Sequence, residues 1–177
     1  MTFFAFREII GINLSFGEKL SMNKKINIVL YSPEIAGNTG NISRTCSVTG
    51  AALHIIKPIG FEISDKTLKR AGLDYWSELE VYYYESFEKF SKMHSDKEIY
   101  YFSSHAKKSY TEVEYPDGIF IMFGKESVGL PEDLVRNNIE RALRIPMRGT
   151  ARCLNLSNAV AIVTYEILRR WDFPGLR

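Results

Sequence analysis

From Ile26 onward the chain reads as short apolar runs separated by polar loops. INIVLY (26–31) has the length and β-branched content of a buried strand, and SPEIAGNTGN (32–41) has the Pro, Gly and Asn content of a loop. From about Asn41 to Thr49 the period turns helical, with Ile42 and Cys46 at i,i+4 and Gly50 placed to stop the helix. ALHIIKP (52–58) predicts a second strand, and SDKTLKRAG a helix with Ser64 as N-cap and Gly72 as its stop. Strands are predicted near 79–84 and 98–103, with a helix over 86–93 between them.

The last third is the most distinctive. GIFIMFG (118–124) predicts a buried strand running into a glycine loop, and Pro131 is placed to open a short helix at its first position. ALRIPM (142–147) predicts a strand ended by proline, and NLSNAVAIVTYEILRRW about four turns of helix. In that helix Leu156, Val160, Val163 and Ile167 form one stripe, while Ala159 and Ile162 make a second apolar face. Two apolar faces on one terminal helix imply burial beyond the monomer core, as in a homodimer. Strands alternating with helices predict an α/β fold with a mostly parallel sheet flanked by helices.

Residues before the second methionine, Met22, do not share this pattern. The stretch is too interrupted by charge for a signal peptide. The codons of Gly17-Glu18-Lys19 must take the form GGN-GAR-AAR, which can spell a ribosome-binding site upstream of a Met22 start. Residues 1–22 are therefore expected to be a non-native or disordered extension, and residues 23–177 a single domain.

Composition narrows the class without naming it. Of 177 residues, 45% are hydrophobic and 25% charged, which is ordinary for a globular domain. No apolar run approaches the roughly 20 residues that span a bilayer, so a cytoplasmic protein is expected. The net charge of +2 means that any nucleic acid must be met by locally concentrated cations. Cys46 and Cys153 have no CxxC spacing, and the three histidines lack metal-site spacing. No metal is expected, and His54, set in LHII, reads as a packed strand residue.

In open α/β sheets ligands bind beyond the carboxyl ends of strands. Four loops fall there: SPEIAGNTGN, FSSHAKK (102–108), FGKESVGLP (123–131) and IPMRGTARCLN (145–155). Any single loop is explained by turn chemistry, but four at one sheet edge point to a site. GxGxxG, the Walker sequence and GxSxG are all absent. NIVLYSPEIAGNTGNISRTC, KRAGLDYW, FGKESVGLP and IPMRGTARCLNLSNAVAIVTYE resemble, in order, the motifs of the SPOUT superfamily. The chain is most similar to its tRNA wobble-position 2′-O-methyltransferases, the TrmL (YibK/CspR-like) group, from about Asn27 to Gly175.

That resemblance implies a C-terminal deep trefoil knot, which periodicity does not reveal. It also implies a S-adenosyl-L-methionine cofactor and transfer of its methyl group to a ribose 2′-hydroxyl of cytidine or uridine at position 34. Matched by motif, the cofactor contacts fall on Phe102, Gly124, Ile145, Met147, Cys153 and Leu154. Plain core packing is the other reading of Phe102 and Ile145. At Cys153 many relatives carry serine, and a thiol is the weaker donor. Arg44 matches the motif arginine. Because a guanidinium is a poor base, its implied role is to stabilise developing oxyanion character. Asn38 orients that arginine or binds substrate, Glu126 accepts main-chain hydrogen bonds of the active-site loop, and Asn155 either serves the site or caps the last helix.

For the implied partner, a tRNA anticodon stem-loop, Lys66, Lys69 and Arg70 make one cationic helix face. Lys107, Lys108, Arg148 and Arg152 add charge near the cofactor loops, and Tyr165 is the candidate for stacking on a base. Trp76 reads as packing. Within the superfamily, another tRNA or rRNA ribose remains open as substrate. A non-catalytic RNA-binding protein is the remaining class, opposed by the intact Asn38, Arg44, Glu126 and Asn155. If translation starts at Met22, mass spectrometry of the native protein will recover no peptides from residues 1–21. Their abundance would end that reading.

Overall fold

The computed structural model describes residues 24–61, 76–149 and 153–177. The predicted extension, the Ser64-capped helix with Lys66, Lys69 and Arg70, and Arg152 therefore lie outside the described residues. Among those described, seven strands form one sheet: β1 (Asn27–Tyr31), β2 (Ala52–Ile56), β3 (Val81–Tyr84), β4 (Ile99–Phe102), β5 (Lys108–Ser109), β6 (Phe120–Phe123) and β7 (Ala142–Arg144). Their order across the sheet is β3-β2-β1-β6-β4-β7-β5. Every strand pair is parallel, with Asn27 opposite Ala52 on one side and Phe120 on the other.

A parallel sheet is buried on both faces, so successive residues of a strand enter different cores. Ile28, Leu30, Leu53, Ile55, Ile121 and Phe123 join the first core. Val29, Ile56, Phe120 and Met122 join the second. The first core also takes Ile42 and Cys46 of helix α1 (Ala36–Thr49) and the stripe of helix α4 (Leu156–Arg170). Helices α2 (Phe87–Met93) and α3 (Glu132–Asn137) supply Phe90 and Val135 to the second. In α4 all four stripe residues are buried, joined by Thr164 and Leu168. Ala159 is half-buried against the first core, while Ile162 is exposed. Trp76 packs against that core as well.

Several boundaries differ from those the periodicity predicts. Helix α1 starts at Ala36, five residues before Asn41, because Asn38, Thr39 and Gly40 are buried by tertiary contacts that hydrophobic periodicity does not register. Pro131 is the N-cap of α3 rather than its first helical residue. Strand β7 ends at Arg144, ahead of Ile145-Pro146, where proline restricts the preceding residue and offers no N–H. Lys108 and Ser109, at the end of a predicted loop, make a two-residue edge strand on β7. Gly50 is the left-handed C-cap of α1, where the sequence places it, and Ser86 caps α2 by accepting from the Lys89 amide.

His54 is a packed strand residue with an ordered polar setting. Asn27 Nδ2 donates to the Gly118 carbonyl, leaving Asn27 Oδ1 to accept from His54 Nε2 at 3.1 Å. His54 Nδ1 then accepts from the Tyr84 hydroxyl at 2.8 Å, and Tyr84 Oη accepts from His94 Nε2 at 3.0 Å. Burial first, then His94 and Lys25, push the His54 pKa from 6.5 down to about 3. The unfolded chain thus binds a proton in this window that the fold refuses, and stability falls as pH drops from about 6.5 toward 3. His54→Gln is expected to flatten that acid limb by up to about 1.4 kcal/mol per pH unit relative to the parent. Urea titrations at pH 7, 6, 5 and 4 check this, and parallel curves for the two proteins would refute it.

Candidate active site

Strands β1, β6, β4 and β7 are neighbours and parallel, so the four loops at their carboxyl ends leave the same edge of the sheet. Between these loops lies a cavity of about 1100 Å³. Phe102, Phe123, Leu143, Ile145, Met147, Leu154 and Leu156 give it apolar walls, and Asn38, Lys125, Glu126 and Asn155 bring polar groups to it. The Phe102 and Phe123 rings stack at 4.6 Å with 15° between their planes. Both belong to the first core while lining the cavity, so packing and ligand contact share these side chains. An apolar cleft with few polar groups suits a ligand that has a flat ring and a charged tail.

The polar groups are not independent. Glu126 accepts from the main-chain amides of Glu34 at 2.8 Å and Ile35 at 3.2 Å, and from Asn38 Nδ2 at 2.9 Å. An ionised carboxylate only accepts, so the Asn38 NH2 must face Glu126 and its Oδ1 must face away. That oxygen accepts from Asn155 Nδ2 at 2.9 Å. Asn155 Oδ1 in turn accepts from the Ser157 amide at 2.9 Å and hydroxyl at 2.7 Å, capping α4. Residues from the β1 loop, the β6 loop and the start of α4 thus form one directed chain of hydrogen bonds. The Glu126 charge also lies at the entry to α1, where the helix dipole favours an anion.

Gly124 has a backbone reason to be glycine. A Cβ there would stand 2.0 Å from the Gly129 carbonyl carbon and 2.1 Å from the Leu130 nitrogen. The 124–130 loop folds back on itself, and Gly129, at φ +76°, donates its amide to the Lys125 carbonyl at 2.9 Å. Its wall of the cavity depends on that close approach.

Of the residues singled out by sequence, Asn38, Glu126, Asn155, Phe102, Gly124, Ile145, Met147, Cys153 and Leu154 all line the cavity. Cys153 is exposed there. Arg44 does not line it and stands on the exposed side of α1. Six residues of helix turn it roughly 120° from Asn38. Tyr165 is exposed on α4, as are Lys107, Lys108 and Arg148 on their loops and strand. Glu34 and Ser127 escaped the sequence reading. Glu34 accepts from the Ser127 amide and hydroxyl, both at 3.0 Å, and Lys125 Nζ lies 3.8 Å from it. These bonds, the Ser127 hydroxyl foremost, hold the Glu34 carboxyl below its ordinary pKa against a raising contribution from desolvation. Only the Pro-Glu step after β1 hinted at Glu34, and it reads equally as turn composition. No cluster of three or more His, Cys, Asp or Glu able to hold a metal occurs among the described residues.

A parallel α/β sheet whose loops enclose an apolar cleft beside a carboxylate–carboxamide chain defines a ligand-binding domain of the doubly covered class. More specifically, the chain belongs to the SpoU rRNA Methylase family, whose model matches residues 25–165. It is 42% identical over 151 residues to the tRNA (cytidine(34)-2′-O)-methyltransferase of Escherichia coli K12, covering 85% of this chain and 96% of that one. A Geobacillus stearothermophilus protein given the same name provisionally is 47% identical over 154 residues, covering 85% and 98%. Among solved structures, one described as giving insight into 2′-OH methylation of C/U34 on tRNA superposes with a TM-score of 0.77 at 39% identity, covering 84% and 97%. An AdoMet-bound rRNA methyltransferase from Sinorhizobium meliloti shares the fold at 23% identity, with a TM-score of 0.73 over 86% of this chain and 59% of that one.

Two substitutions probe this geometry. Gly124→Ala is expected to lower the melting temperature well beyond Gly149→Ala, whose Cβ would meet nothing within 4 Å. Equal melting shifts would contradict the close-approach argument. Glu126→Gln sets an NH2 against a cluster of donors, and each charge-assisted bond lost costs about 1.5–3 kcal/mol. It should weaken ligand binding in the cavity about tenfold or more, read by calorimetric titration.

Proposed function

We propose that this chain is a S-adenosyl-L-methionine-dependent tRNA 2′-O-methyltransferase acting on cytidine or uridine at wobble position 34. The observation that carries the reading is the Glu126–Asn38–Asn155 chain on the wall of an apolar cleft, in a member of a methylase family. Phe102, Ile145, Met147 and Leu154 would hold the adenosine part of the cofactor, with the backbone around Gly124 and Cys153 beside it. The bound cofactor supplies an electrophilic methyl on a sulfonium.

What the protein must add is alignment and charge. Asn38, held by Glu126, presents a fixed carboxamide at the cleft wall. Arg44, six residues further along α1 and exposed, meets the ribose from the side on which RNA docks. Its guanidinium stabilises negative charge growing on the 2′-oxygen as the hydroxyl proton leaves, either to solvent or to a neighbouring phosphate. Arg44 does not take that proton itself, because a guanidinium is a poor general base. Lys66, Arg70 and Arg152 are assigned to RNA phosphates, and Tyr165 to an anticodon base.

Residues 23–177 constitute the working domain in this reading. In this reading the C-terminal part of the chain passes through a loop to make a deep trefoil knot, in keeping with the resemblance to the SPOUT superfamily. A homodimer is the proposed assembly, since Val48 and Ile162 leave apolar surface on the packed helices α1 and α4. No described helix is long and apolar enough to cross a membrane, and the enzyme is assigned to the cytoplasm, where its substrate is.

Purified protein is expected to move a labelled methyl group to tRNA from a strain lacking the activity, with the product mapped to nucleoside 34. Arg44→Ala should lose about 10²–10³ in kcat while still binding cofactor. A product at another tRNA or rRNA ribose would redirect the assignment within the family. RNA binding without transfer would point to a non-catalytic protein.

A further inference from the structure

The Glu34 carboxylate stands outside the residues that line the cleft and has no part in the proposed chemistry. Yet it reaches to the loop that does line it, where it meets the Ser127 amide and hydroxyl and, more distantly, Lys125. In the reverse direction the Glu34 amide donates to Glu126 on that same loop. Two adjacent loops therefore each extend a carboxylate to the other's amide.

The Glu34 side of this clasp is anchored from behind. A Cβ on Gly60 would sit 2.8 Å from the Glu34 Cα, and the Gly60 amide donates to the Pro33 carbonyl at 2.9 Å. With its main chain backed this closely, Glu34 reaches Ser127 from a fixed base. On the opposite side, residues 125–129 bring five consecutive positions to the cleft, including the exposed Val128 at their tip. The pair with Lys125, at 3.8 Å and well solvated, adds little. The two bonds to Ser127 join those of Glu126 in tying the loop to the segment after β1.

We propose that Glu34 is a positioning residue for the cofactor: its carboxylate holds the 125–129 loop in the shape that forms one wall of the cleft. This rests on the proposed methyltransferase function and deepens it. Charge is not the essential property. A glutamine at 34 can accept from the Ser127 amide through Oε1 and donate to the Ser127 hydroxyl through Nε2, because a hydroxyl serves in either role. Alanine can do neither. Glu126 differs, since several donors converge on it and glutamine must oppose one of them.

The test uses the full chain. Calorimetry measures S-adenosylmethionine and S-adenosylhomocysteine binding without RNA, and steady-state assays on tRNA separate cofactor KM from kcat. Glu34→Ala is expected to weaken cofactor binding about tenfold or more and to raise cofactor KM by the same factor, with kcat at saturating cofactor held within about threefold. Glu34→Gln should stay within about threefold of the parent in affinity, and Ser127→Ala should fall between the two. Unchanged affinity in Glu34→Ala, equal losses in Glu34→Gln and Glu34→Ala, or a loss confined to kcat would each overturn the proposal. If Glu34→Ala does not fold, Glu34→Gln and Ser127→Ala decide the matter by the same ordering. A parent protein that binds neither cofactor form would overturn this proposal together with the function it rests on. A parent that binds beside an unaffected Glu34→Ala would overturn this proposal alone.

Discussion

A carboxylate has lone pairs to offer and no hydrogen to give, and around the cleft that asymmetry orients everything else. Glu126 draws two main-chain amides and one carboxamide NH2 toward itself. The Asn38 oxygen is thereby turned to Asn155, and the Asn155 oxygen to the amide and hydroxyl of Ser157 at the start of α4. Reversing any one amide would place donor against donor along the line. A single charge on the β6 loop thus fixes side-chain polarity at Asn38, 88 residues away in the chain, and through it at Asn155, 117 residues from Asn38. Such bonds are strong because one partner is ionised and the setting is partly desolvated.

The sheet makes that convergence possible. With every strand pair parallel, the loops after β1, β6, β4 and β7 emerge side by side. A buried parallel sheet has no polar face, so its polar chemistry concentrates where the strands end. The exception is the line through Asn27, His54, Tyr84 and His94, which keeps His54 neutral on the second face of the sheet. It serves the fold rather than the cleft, and ties β1, β2 and β3 to the end of α2.

Local rules reached much of the architecture. Gly50 and the Leu156–Ile167 stripe mark a helix end and a helix face through contacts no more than four residues apart, which is the range over which backbone and capping preferences act. They failed at Ala36–Gly40, where small and polar residues become helical because distant groups satisfy them. They failed again at Lys108–Ser109, a strand that exists only because β7 offers an edge. Asn38, Glu126 and Asn155 were visible as motif positions, but their hydrogen bonds to one another were not.

The order of apolar runs, the loop composition at strand ends and the family motifs all derive from the residues alone, because periodicity, turn chemistry and motif spacing are properties of neighbouring positions. The clasp between Glu34 and Ser127, the bond from Asn155 to Asn38 and the edge strand at Lys108–Ser109 were decided by tertiary structure. Each depends on distances between segments that are remote in sequence, and only the packed sheet sets those distances.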